Sequence, residues 1–112
     1  MTYIVKYGSK YGAKKQEYNG YHYMSKKEAR YAQELDLLLK GKQIKSWVPQ
    51  FKLSLDVNGK HISNYYVDFM VIDKNDTKQL HEVKGFETEV WKLKWLLTEA
   101  LYGDEYEMIV IK

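Results

Sequence analysis

Asp68 is the only charged residue in the run Tyr65-Tyr66-Val67-Asp68-Phe69-Met70-Val71-Ile72, and Glu82 and Lys84 follow in Leu80-His81-Glu82-Val83-Lys84-Gly85. The first run fills both of its alternating faces with aromatic and β-branched residues, which suits a central strand covered on both sides. A lone carboxylate in such a strand carries a desolvation cost of several kcal/mol unless something pairs with it, so a partner is expected close by. The polar stretch 73–78 reads as the turn of an antiparallel hairpin. Facing residues in a hairpin have numbers of constant sum, and a turn centred on residue 75 sets Asp68 opposite Glu82. Glu82 and Lys84 share a face by alternation, and a slip of one residue would turn Asp68 to the other side.

Two carboxylates one cross-strand spacing apart make an oxygen site for Mg²⁺, which also takes water and phosphate oxygens. Lys84 beside them can orient or help deprotonate an attacking water and offset charge on a pentacovalent phosphate. The plain alternative is a solvated Asp, Glu, Lys cluster on a sheet face, which is what most Glu-x-Lys triplets are. The aspartate inside the preceding strand shifts the balance toward chemistry.

The elements that must position these groups follow from the flanking sequence. Ser25-Lys26-Lys27-Glu28 is a capping box, and Gly41 ends the helix it opens. Ala32, Leu35, Leu38 and Leu39 form the expected buried stripe, with Tyr31 and Glu34 on the surface. Glu28 continues that stripe at the first turn and points towards the sheet, either to close the capping box on Ser25 or to serve the metal site. Residues 45–50 read as a connector, and Phe51, Leu53, Leu55 and Val57 alternate as a strand with one buried face. Asn58-Gly59 turns the chain into a strand from His61 to Ile72, and Leu80 to Lys84 returns from it. Thr88 caps a second helix running to Tyr102, with Val90, Leu93, Leu97, Ala100 and Leu101 as its core stripe and Trp91 and Trp95 against the sheet or a second subunit. The N-terminus of that helix, next to Lys84, is placed to attract a phosphate. Lys92 is a candidate DNA contact on it. Residues 106–111 form a last strand, parallel to Leu80–Lys84 through a right-handed crossover.

The chain of 112 residues is long enough for one core, and its 45% hydrophobic and 15% aromatic content lets it fold. Residues 1–112 are expected to be one domain, with 1–24 a basic, tyrosine-rich arm and 25–112 the core. The absence of cysteine excludes disulfides, thiolate metal sites and a cysteine nucleophile. No apolar run reaches membrane-spanning length and the first residues lack a signal-peptide core, so a cytoplasmic protein is expected. Net charge is only +3, but residues 1–30 hold seven Lys and Arg against two Glu, which leaves the remainder net negative. Lys10, Lys14, Lys15, Lys26 and Lys27, interleaved with tyrosines, suit a phosphate backbone, with rings free to stack on bases. Solvated lysines guarding the edge of a ribbon explain the same pattern. Residues 3–7 read as a short strand, and Asn19-Gly20 between aromatic residues reads as a type I′ hairpin that presents the arm. His22, His61 and His81 are scattered and no Gly-x-Ser-x-Gly elbow occurs, so serine-histidine hydrolysis fits the sequence poorly.

The order helix, strand, strand, strand, helix, strand, with Asp68 on the second strand, Glu82-Val83-Lys84 on the third and Glu28 in the first helix, resembles the PD-(D/E)XK nuclease superfamily. Nearly the whole chain is similar to a family of small phage-encoded proteins in Lys10-Tyr11-Gly12-Ala13-Lys14-Lys15, in Ser25 to Ala29 and in Val83 to Phe86. The resemblance implies an α/β fold with a restriction-endonuclease-like core of order α-β-β-β-α-β, a mixed central sheet flanked by helices and an N-terminal basic β-hairpin arm. It implies Asp68 and Glu82 as metal ligands with the Val83 carbonyl, Lys84 as the catalytic lysine, Glu28 as the helix carboxylate and Gln50 as a contact to phosphate or substrate. Val67 stands where many members have proline, which leaves the ligands intact. The implied activity is that of a Mg²⁺-dependent DNA endonuclease, Mn²⁺ substituting, without a nucleotide cofactor. A homodimer acting on branched DNA, in the manner of a Holliday-junction resolvase, is the expected form. A nicking or transposase-like end-cutting nuclease, or a nuclease fold that binds nucleic acid without cleaving it, is the alternative.

Overall fold

The computed structural model describes residues 2–4, 16–18, 20–85 and 87–112. Lys10, Lys14 and Lys15, and all but the start of the strand expected at 3–7, lie outside the described residues. The elements are β1 (Thr2–Ile4), β2 (Gln16–Tyr18), β3 (Tyr21–Tyr23), α1 (Lys26–Lys40), β4 (Ile44–Val57), β5 (Lys60–Asp73), β6 (Lys78–Val83), α2 (Glu89–Tyr102) and β7 (Glu107–Ile111). The result is an α/β fold: a mixed sheet of order β1-β7-β6-β5-β4, with α1 packed on one face, α2 on the other, and a separate β2-β3 ribbon.

Local chemistry explains the boundaries. The Ser25 side chain accepts from the Glu28 amide at 3.1 Å and opens α1, and Thr88 accepts from the Trp91 amide at 3.1 Å and opens α2. Asn58 and Gly59 have φ of 51° and 79°, the left-handed pair that a two-residue hairpin between β4 and β5 requires. Asp73 holds the next turn by accepting the amides of Asn75 and Thr77 at 2.8 and 3.0 Å. The β5–β6 hairpin pairs Phe69 with His81 and Met70 with Leu80, the register that sets Asp68 beside Glu82. β6 and β7 run parallel, as expected of a crossover through α2.

Four expectations fail for identifiable reasons. Residues 45–50 are strand rather than connector, because the edge position of β4 leaves the missing amide of Pro49 without a ladder to break. Tyr31 is buried while Leu38 and Leu39 are exposed, since α1 docks through Ala29, Tyr31, Ala32 and Leu35 and its last turn is exposed all round. The buried side of α2 is Trp91, Trp95 and Thr98. Val90, Leu93, Ala100 and Leu101 face outward and Leu97 is half-buried. Two indoles bury more apolar area than the leucines, and Trp91 also finds an acceptor inside. The β2-β3 hairpin forms as expected, but its rings are not all free to stack on bases. Tyr23 lies in the α1 core, where burial pushes its phenol up to about 12, and the half-buried Tyr18 donates to Asp36 at 2.6 Å.

One irregularity of the sheet lies beside Asp68. Phe69 and Val71 pack with α1, whereas Tyr65 and Val67, of the same parity on the same strand, pack with α2. Trp47 and Phe51 on β4 divide in the same way. Side chains two apart on a regular strand share a face. The alternation therefore breaks on both strands at neighbouring points, next to Asp68 on β5 and at Gln50 on β4, whose φ is 50°. Such left-handed backbone in a non-glycine strand residue is strained.

Candidate active site

The switch of faces places Asp68 at the meeting point of β4, β5 and β6. It is 8% exposed, its Oδ2 accepts the Val83 amide at 2.8 Å, and the Gln50 side chain donates to it from the strained position. Glu82 is 3% exposed and hydrogen-bonded to Asp68. Tyr65 donates its hydroxyl to Glu82 Oε1, and Trp91 Nε1 donates to that hydroxyl at 2.9 Å. Burial raises the Tyr65 phenol far above its usual range, so it serves Glu82 only as a donor. Lys84 Nζ lies 3.9 Å from Glu82 Oε2 and 4.6 Å from the centre of the Trp91 ring, which holds it over the carboxylate pair.

Burial raises Asp68 first, opposed by its bonds to Glu82 and the Val83 amide. Burial likewise carries Glu82 well above the carboxylate range, and the Asp68 charge adds to it. Two carboxyls in hydrogen-bond contact keep one proton between them, and a cation is the alternative that lets both ionise. Glu28 is lifted to about 8, by burial and then by the Asp68 charge. Its Oε2 is buried without a hydrogen-bond partner. The capping box is half closed: the Ser25 hydroxyl serves Glu28, while the Glu28 carboxylate turns to the Met24 backbone.

These features fit a small hard cation. Among the described residues no group of three or more His, Cys, Asp and Glu gathers as a metal cluster. Mg²⁺ asks for less, since it keeps several waters and commonly takes one or two carboxylates. Asp68 and Glu82 would hold it, with the Val83 carbonyl from the backbone, and Glu28 stands outside that set with one unpartnered oxygen.

The structure thus brings together Glu28, Gln50, Asp68, Glu82, Val83 and Lys84. It separates the remaining candidates. Lys27 is half-buried and donates to the Lys84 carbonyl at 2.5 Å, so it braces the end of β6 rather than offering a free charge. Lys26 is exposed, and Lys92 is exposed with Glu89 at 3.5 Å. His81 turns to the opposite face, as alternation requires, where Tyr31 donates to its Nδ1 at 2.6 Å. Tyr65, and the support that Trp91 gives Lys84, escaped sequence reasoning. Tyr65 and Asp68 differ in parity, and only the break in alternation brings both to Glu82. A cleft of about 550 Å³ lined by Thr77, Lys78, Glu99, Asp104, Glu105 and Glu107 among others contains none of these residues.

Residues 8–112 match a family described as a protein of unknown function, DUF1064, and the chain belongs to that family. No curated protein and no solved structure matches it. No helix among the described residues is long and apolar enough to cross a membrane.

Proposed function

We propose that this chain is a Mg²⁺-dependent DNA endonuclease with a restriction-endonuclease-like core, phage-encoded in origin and acting on branched DNA such as a four-way junction. The observation that carries the reading is the buried Asp68–Glu82 pair with the Lys84 ammonium held beside it. The succession of α1, β4, β5, β6, α2 and β7 around that pair supports it.

When bound, the cation supplies Lewis-acid polarisation of a phosphate oxygen and a more acidic water. Asp68 and Glu82 provide its oxygen ligands, and Tyr65 and Gln50 fix their orientation. Lys84 orients the water that attacks phosphorus and offsets charge on the phosphate as the bond to the 3′ oxygen breaks, leaving a 3′-hydroxyl and a 5′-phosphate. Lys26 and Lys92 remain exposed for phosphate contacts. Binding through phosphates falls steeply with salt.

The test is cleavage of a labelled four-way junction and its matched linear duplex, with and without Mg²⁺ and with Mn²⁺ in its place. Metal-dependent cutting by the wild type that falls by orders of magnitude in Asp68→Ala and Lys84→Ala is the expected result, faster on the junction. Metal-independent binding with no cutting of either DNA would leave a nucleic-acid-binding module. Cutting that survives Asp68→Ala would sink this assignment of the site.

A further inference from the structure

We infer that Tyr66 is a stacking platform for an unpaired DNA base at the candidate site, with Lys52 holding a phosphate of the same strand, so that the substrates of the site are DNAs whose bases are unstacked there. This deepens the nuclease reading and rests on it for the cut itself, while stacking is measured by binding alone. β4 and β5 form a hairpin whose far half, residues 51–67, is covered by α2 from one side, where Leu53, Leu55, Tyr65 and Val67 pack in its core. Alternation turns Lys52 and Tyr66 to the other side. α1 does not cover them there, because its core on β5 begins at Phe69. Tyr66 is accordingly 51% exposed between neighbours that are 6% and 0% exposed. Lys52 faces it across the ladder, which sets ring and ammonium side by side.

Tyr66 also stands apart from the other tyrosines with described side chains. Those spend a ring or a hydroxyl on a neighbour, as Tyr18 does on Asp36, Tyr65 on Glu82 and Tyr21 on the Tyr23 ring. Among the described residues neither the Tyr66 side chain nor the Lys52 ammonium has a partner. The pair also lies close to the chemistry. A strand rises about 3.3 Å per residue, so Tyr66 precedes Asp68 by about 6.6 Å. Successive phosphates of a stacked strand are about 3.4 Å apart along the axis, which brings a base within about two nucleotides of the Asp68–Glu82 pair onto the ring. A nucleotide is the ligand that uses both groups, its flat base on the phenol face and its phosphate on the ammonium. Bases inside a continuous duplex are stacked on one another, so one must leave the stack to reach the ring, and a base that is already unpaired does so at least cost. Preference for a branch point over a linear duplex then has a physical cause.

The test uses a duplex interrupted by a short single-stranded gap carrying 2-aminopurine, and the same duplex without the gap, each mixed with the full chain and Ca²⁺ in place of Mg²⁺. The wild type should bind the gapped DNA more tightly and quench the 2-aminopurine in it. Tyr66→Ala should lower the ratio of the two affinities roughly tenfold and remove the quenching. Tyr66→Leu, which keeps apolar bulk on the strand, should do the same, and Tyr66→Trp should keep both properties. Circular dichroism and thermal unfolding show that each variant is folded. Lys52→Gln should make the slope of log affinity against log salt on the gap shallower by about 0.7, the share of one phosphate on a single strand. Equal affinity of the wild type for both DNAs, or quenching that survives Tyr66→Ala and Tyr66→Leu, overturns the inference, whether or not Mg²⁺ then brings cutting. Tyr66-dependent quenching with no cutting on addition of Mg²⁺ supports the stacking and removes the nuclease reading. A chain that binds neither DNA overturns both.

Discussion

Carboxylates gather in two places on this molecule, and the two are opposites. The cleft between the C-terminal end of α2 and the start of β6 holds Glu99, Asp104, Glu105 and Glu107, is roomy and open, and leaves all but Glu99 exposed. The Asp68–Glu82 pair has fewer acids and lies outside that cleft, yet both groups are buried, raised by burial and hydrogen-bonded from several elements. Charges in water cost the fold little and need no explanation. A buried carboxyl pair opposes folding unless a shared proton or a bound cation relieves the repulsion. Desolvation, rather than concavity or the number of acids, separates the candidate site from a solvated acidic surface.

The contrast breaks first on charge removal. Asp68→Asn should lower metal-dependent cleavage by roughly three orders of magnitude, since it removes a ligand that the transition state depends on. Glu99→Gln, Asp104→Asn and Glu105→Gln made together should leave the cleavage rate unchanged. Comparable losses in the two variants, read in one single-turnover assay, would dissolve the distinction between the regions. Lys84→Ala comes next, with a loss of roughly 10²-fold for one preorganised cation beside the reacting phosphate. Metal affinity, followed by Mn²⁺ titration, should change much less, because the lysine is no ligand.

The same physics decides how much of the site and fold was legible in the residues. The register of Asp68 against Glu82 could be read because a polar turn between two strongly apolar runs admits few alternatives, and Phe69 pairs with His81 as that reading requires. Both helices announced themselves through Ser25 and Thr88. The buried face of α2 could not be read, since Val90, Leu93 and Leu97 form as good a stripe as Trp91 and Trp95, and only packing decides between them. The roles of Tyr65 and Gln50 were hidden for another reason. Both depend on a break in strand alternation that Gln50 enters with φ of 50°, a conformation its residue type does not announce.

Tyr65 gives a finer test. Its hydroxyl donates to Glu82 while receiving the Trp91 indole, so Tyr65→Phe keeps the ring in the α2 core and deletes the orienting bond together with the acceptor of the indole N–H. Groups that orient a metal ligand are commonly worth roughly 10–100-fold in affinity or activity. The expected result is a loss within that range, carried by weaker Mn²⁺ binding and recovered in part at saturating metal. An unchanged metal affinity would reduce Tyr65 to packing.

The smallest effect is on stability, and its sign is opposite to intuition. In the unfolded chain Asp68, Glu82 and Glu28 lose their protons near the ordinary value of about 4. In the fold Glu28 keeps its proton to about 8, and burial raises the Asp68–Glu82 pair as well. Between these limits the folded state binds more protons than the unfolded one, so stability falls as pH rises. Metal-free protein should therefore be harder to unfold with urea near the lower limit than near the upper, and added Mg²⁺ should flatten the slope by giving the carboxylates a cation. Asp68→Asn should raise the stability of the metal-free protein at neutral pH by about 1 kcal/mol while sharply lowering cleavage. The cleft variants should do neither, because acids that stay in water change little on folding. If Asp68→Asn instead destabilises the metal-free protein across the whole interval, the pair is a structural network satisfied by its own hydrogen bonds, and no cation is needed to account for it.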